Sequence, residues 1–187
     1  MRRVIHMMKK KYMAGTTIGL MMTGISVCSQ AMEFDFNYSG ANISGTGIIE
    51  TIDNGNGTFT AISGVSTAIS YGTNYGTFYL VINANAPNYA YSPSGMFIYD
   101  NIVSPNSQNP LLNIYGLLFT NGKEELNIWG KGEGSPYSAW LWQPGSGYIS
   151  QNDDVTFNAN AVPEPPTMLL LGAGLLGLAG LVSKKKA

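Results

Sequence analysis

Between residues 32 and 162 the chain alternates apolar and polar side chains at a spacing of two. Phe34, Phe36 and Tyr38 fall on one side, with Glu33, Asp35 and Asn37 on the other. Phe78, Leu80 and Ile82 repeat the pattern, as do Val155 and Phe157. Successive side chains of a strand point to opposite faces, so this period predicts half-buried β-strands. Residues 47–52, 58–63, 65–71, 96–99, 111–119, 125–129 and 138–142 are further strand candidates. Turn-rich stretches separate them, notably Asp53-Asn54-Gly55-Asn56-Gly57 and the segment 104–110. No capped helical apolar stripe precedes Met168. The pattern predicts an all-β domain, an antiparallel β-sandwich or barrel-like meander, because short strands bury a core only by packing two sheet layers or closing on themselves.

Two other segments are apolar without alternating. Residues 13–27 form an uncharged run behind the basic opening MRRVIHMMKKKY, and small residues follow at Ser29 and Ala31. That order predicts a signal peptide over residues 1–31, cleaved by signal peptidase between Ala31 and Met32. The run is short for a retained span of about 20 residues. Lipidation at Cys28 is disfavoured by Val27, which stands where such signals carry a small residue. Residues 168–182 form the second run, MLLLGAGLLGLAGLV, followed by Lys184, Lys185 and Lys186. These lysines should stay cytoplasmic and hold residues 32–162 on the far side of the membrane. Gly172, Gly174, Gly177 and Gly180 give the predicted transmembrane helix a small-residue face for packing against another helix. Ahead of it, prolines at 163, 165 and 166 keep an extended, exposed segment beside the membrane.

Composition narrows the chemistry. The chain has one cysteine, Cys28, and one histidine, His6, both ahead of the predicted cleavage point. The segment after it has neither, which excludes disulfides, Cys/His zinc sites and His-based nucleophilic triads there. No cofactor is expected. Residues 32–162 carry ten acids and only Lys123 and Lys131 as bases, a net charge of −8. Nucleic acid is therefore excluded as a partner. Twenty of the aromatic residues lie in this segment, which argues against disorder.

The tail, Val162-Pro163-Glu164-Pro165, then the glycine-rich apolar run and the lysine cluster, resembles the PEP-CTERM sorting domain of exported Gram-negative bacterial proteins. Pro166 stands where serine is commoner in that family. The resemblance covers residues 162–187 and implies recognition by exosortase, a membrane cysteine protease-transpeptidase, with cleavage near the motif and delivery to the cell surface or extracellular matrix. A plain C-terminal anchor is the alternative. Residues 45–64 are similar to a hairpin recurrent in small PEP-CTERM proteins. Three parts are thus expected: signal peptide 1–31, exported β-rich domain 32–161 and sorting segment 162–187.

Candidate chemistry in the domain is sparse. Asp53, Asn54 and Asn56 miss the calcium-loop spacing because Gly55 occupies the third position, so they read as a hairpin turn. Glu124-Glu125 and Asp153-Asp154 are adjacent acids, with Asp100 and Glu133 isolated, and exposed turn positions are expected for both pairs. Adjacent strand residues face opposite ways, so neither pair alone makes a glycosidase site. The aromatics offer more. Trp140 and Trp142 share a strand face, with Tyr137, Tyr148 and Trp129 in range, and such rings could form a glycan platform for exopolysaccharide. The favoured expectation is burial of Trp140 and Trp142 in the core, with Leu141 facing away. The domain is expected to be a non-enzymatic surface or biofilm-matrix component. A polysaccharide-binding module is the alternative, and a small carboxylate-based glycoside-active enzyme the remote one.

Overall fold

The computed structural model describes residues 31–105, 111–132 and 136–162. The predicted signal peptide up to Gln30, the transmembrane helix and Glu133 lie outside the described residues. Eleven strands are described and no helix: β1 (Ala31–Ser39), β2 (Ile43–Asp53), β3 (Phe59–Ser70), β4 (Thr73–Leu80), β5 (Ala90–Tyr91), β6 (Ile98–Tyr99), β7 (Ile102–Val103), β8 (Leu117–Thr120), β9 (Glu125–Gly130), β10 (Tyr137–Gln143) and β11 (Gly147–Ala161).

The fold is a closed antiparallel barrel rather than a two-sheet sandwich. Strand order runs β2-β1-β11-β10-β9-β8-β4-β3, and β3 pairs back to β2. Each neighbour around the ring is also a chain neighbour, apart from the insertion carrying β5, β6 and β7 and the joint between β11 and β1. The terminal strands therefore close the barrel, from Phe34 opposite Ala161 to Ser39 opposite Thr156. Closure removes the free sheet edges that an open sheet would leave. β7 pairs with Phe59 and Thr60 at the start of β3, before β4 pairs with that strand from Val65 onward.

Eight strands leave an interior just wide enough for side chains to fill. Phe34, Phe36, Tyr38, Ile49, Phe78, Phe119, Leu126, Ile128, Leu141 and Phe157 fill it. Phe36 packs on Phe119 and Phe157, each at 5.7 Å between ring centroids. The facing strand makes room for these rings. Gly45 lies opposite Tyr38 and Gly47 opposite Phe36, and a Cβ at either glycine would collide with that ring and with the backbone of β3. The Tyr38 hydroxyl donates to Thr67 O at 2.7 Å, and burial pushes its pKa far up, so it stays protonated.

Several expected strands end where local chemistry interrupts the pattern. Residues 58–63 and 65–71 form one strand, β3, with a register shift at its pairing beyond Glu50. Conversely, residues 111–119 yield only β8. Asn113 Oδ1 accepts from Tyr115 N and Gly116 N, and Gly116 has φ +66°, so the chain turns before Leu117. Ile82 lies beyond the end of β4 and is exposed.

Between β4 and β8 the chain leaves the barrel wall and folds over its outside as a flap. Phe97 and Tyr99 pack there on Leu118, bordered by Val81, Ala90, Trp140 and Trp142. Glu125 ties the flap down by accepting from Ser94 N at 2.8 Å and Ser94 Oγ at 2.6 Å. Asn101, at φ +60°, joins both walls: its Nδ2 donates to Val81 O and its Oδ1 accepts from Leu118 N.

Candidate functional site

The outer faces of β9, β10 and β11 carry a strip of large aromatic rings. Register explains why. Tyr137, Ala139 and Leu141 occupy the inner face of β10, and strand alternation then sends Ser138, Trp140 and Trp142 outward. The expectation that Trp140 and Trp142 belong to the barrel core is therefore corrected: Leu141 is completely buried inside, while the two tryptophans are half-buried outside, at the border of the flap. Tyr137 is corrected in the opposite sense. It is only 7% exposed, packs on Phe157 in the interior and accepts from Leu111 N, so it takes no part in any outer platform.

In its place the structure supplies Trp129 and Tyr148. Ring centroids step from Trp129 to Trp140 at 5.1 Å, to Tyr148 at 5.1 Å and to Trp142 at 4.8 Å, each pair edge to face. Trp140 Nε1 donates to Asp153 Oδ1 at 2.9 Å, and Ser138 Oγ donates to the same oxygen at 2.9 Å. The Lys131 ammonium donates to the Asp153 carbonyl, which fixes a cation at the margin of the strip.

The acids divide differently from the sequence-based expectation. Asp153 and Asp154 are exposed, as expected, but Glu124 and Glu125 are buried, and so is the isolated Asp100. Each buried carboxylate has partners that explain its place. Asp100 accepts from Ile102 N at 3.0 Å and from the Asn113 amide, and Glu124 accepts from Asn121 Nδ2 at 2.6 Å. Burial pushes the Asp100 carboxyl above its usual range, an effect these hydrogen bonds partly offset. Ser94 lies 31 residues from Glu125 and Asn113 lies 13 from Asp100, so neither carries a local signal, whereas Asn121 shares a turn with Glu124.

The Asp53 turn uses its side-chain oxygens internally. Asp53 Oδ1 accepts from Gly55 N at 2.7 Å, Asn54 Oδ1 from Thr60 Oγ1 and Asn56 Oδ1 from Thr58 N. These bonds hold the β2–β3 hairpin, in keeping with the turn reading. Elsewhere on the outer face a shallow groove of about 510 Å³ crosses β1 to β4, bordered by Asp35, Ile48, Val65, Thr67 and Thr77.

The other candidate site begins where β11 ends. Val162 N donates to Glu33 O at 2.8 Å, which carries the β11–β1 pairing one residue past Ala161. A proline next in sequence has no N–H with which to extend a ladder. Pro163, Glu164 and Pro165, and Lys184, Lys185 and Lys186, lie outside the described residues. The molecule so defined is a closed β-barrel whose final strand leads directly into a proline-interrupted apolar tail. Residues 161–185 match the family model of the PEP-CTERM protein-sorting motif, so the chain carries that sorting signal. The motif implies export, anchoring through the C-terminal end and processing by an exosortase-type enzyme. No match was found among the curated proteins or the solved structures.

Proposed function

We propose that this protein is a non-enzymatic component of the cell surface or extracellular matrix, delivered there as a folded barrel after exosortase-type processing. The sorting motif at residues 161–185, set directly behind the strand that closes the barrel, carries the reading. The carboxylates support a non-catalytic role. Asp100, Glu124 and Glu125 are engaged in hydrogen bonds that hold loops or the flap in place, and Asp153 accepts from Ser138 and Trp140 of β10. The interior is filled by its own side chains, so the barrel serves as a rigid body rather than a container.

Signal peptidase removes residues 1–31 in this scheme and leaves eight of the nine residues of β1 to close the barrel. The processing enzyme then acts on the sequence that follows Val162, whose amide is held by Glu33 O. Replacing Pro163, Glu164 and Pro165 with alanine should leave export intact and block release, because the apolar run and lysines still anchor the chain. Cell fractionation with intact-mass measurement reads both events. Release of wild type with retention of the mutant is the expected result. Equal release of both would remove the sorting reading, and retention of both at the inner membrane would leave a plain anchor.

A further inference from the structure

All three tryptophans of the chain, Trp129, Trp140 and Trp142, lie in the outer strip with Tyr148. Trp140 and Trp142 border the flap cluster of Phe97, Tyr99 and Leu118, while Tyr148 stays exposed. The interior is built from phenylalanine, tyrosine and aliphatic residues, and tryptophan, the side chain with most apolar surface to hide, instead sits half-buried on the outer face. The rings hold one another edge to face, and Asp153 fixes the Trp140 indole through its N–H. They are thus ordered before any ligand arrives, which lowers the entropic cost of binding.

We infer that the strip of Trp129, Trp140, Tyr148 and Trp142 binds a neutral polysaccharide through C–H contacts with its pyranose rings, centred on the exposed ring of Tyr148. Aromatic faces carry partial negative charge and suit the C–H face of a sugar. Asp153 and Gln151, the latter paired opposite Trp140, are exposed and supply polar groups beside the rings for hydroxyls. Charge selects the class of polymer. With −8 over residues 32–162 and a carboxylate inside the strip, a polyanionic glycan is repelled and a neutral one is not. This inference goes beyond the proposed matrix role and does not depend on processing of the tail.

The site contains its own reporter, because every source of tryptophan emission in the protein lies within it. The full chain, purified in detergent, is titrated with two neutral polymers, hydroxyethylcellulose and mannan, with the polyanion alginate, and with choline. A saturable change in emission with at least one neutral polymer, and none with alginate or choline, is expected. Tyr148→Ala, at a position 37% exposed, should weaken that binding at least about tenfold with an unchanged melting temperature. Should Tyr148→Ala melt early, Trp129→Ala on β9, at the other end of the strip, gives the same reading. Unchanged emission with both neutral polymers, saturation by alginate, or full affinity in the variants would overturn the inference. Saturation by choline would identify an aromatic cation cage in its place.

Discussion

Asp100 shows how the setting of a single residue is decided by partners far along the chain. It follows Tyr99 at the end of β6 and looks like a loop acid, yet it is 3% exposed. Its oxygens take Ile102 N and the Asn113 amide, which draws the 111–116 loop against the flap. Burial raises its pKa above the unfolded value, so its linkage to stability has the sign opposite to that of a salt-bridged acid. Below the ordinary carboxylate range both states are protonated and the contribution is fully present. As pH rises through the raised value, the native state must ionise a buried group that the unfolded chain ionised earlier, and stability falls. Asp100→Asn should flatten this part of the pH profile. It should also cost about 1–3 kcal/mol, because its amide would face the Asn113 amide donor to donor. Urea midpoints between mildly acid and neutral pH compare the two proteins. Equal slopes would refute the assignment.

At the scale of elements, β10 separates inner from outer packing within three residues. Leu141 is enclosed by the barrel, so Leu141→Ala should cost about 2–5 kcal/mol through lost burial and a cavity. Trp142→Ala should cost less than Leu141→Ala despite removing the larger group, because its ring is half-buried at the flap border and that site can relax toward solvent. Thermal melts rank the two variants, and the reverse order would return Trp142 to the core. The weakest joint of the ring is β4 to β8, paired only at Tyr79–Thr120 and Leu80–Phe119. By contrast β1 is paired along both edges. Amides of residues 73–78 should therefore exchange with solvent sooner than those of β1, as hydrogen-exchange mass spectrometry would show.

The same elements show what the sequence made legible. The alternation of Phe34, Phe36 and Tyr38 and the turn 53–57 were plain because each is encoded locally, by period two and by Asn-Gly chemistry. Which face of β10 looks inward was not. Both faces of Tyr137 to Trp142 are apolar, and the choice is made by the long-range packing of Tyr137 on Phe157 and by the flap that covers Leu118. Closure into a barrel depended likewise on a pairing between β1 and β11, whose partners Asn37 and Asn158 are 121 residues apart.

At the scale of the whole molecule, closure places both chain ends of the domain side by side. Ala31 pairs with Ile52 while Val162 bonds to Glu33, so the segments leading to and from the barrel meet it at the same end of β1. The barrel is thus sealed by its own terminal strands rather than by anything in the flanking segments. Residues 31–162, made without those segments, should fold as a β-rich monomer whose melting temperature is indifferent to chelator and to reductant, since the chain's one cysteine and one histidine lie outside it. At this length a filled aromatic and aliphatic core suffices for stability. Removing residues 31–39 should instead abolish folding, because the loss opens the pairings to β2 and β11 together and exposes Phe119 and Phe157 against the vacated place of Phe36. Circular dichroism and thermal melts distinguish the two forms. A helical spectrum or metal-dependent melting of the first, or cooperative melting of the second, would show that the barrel is not held by the closure described.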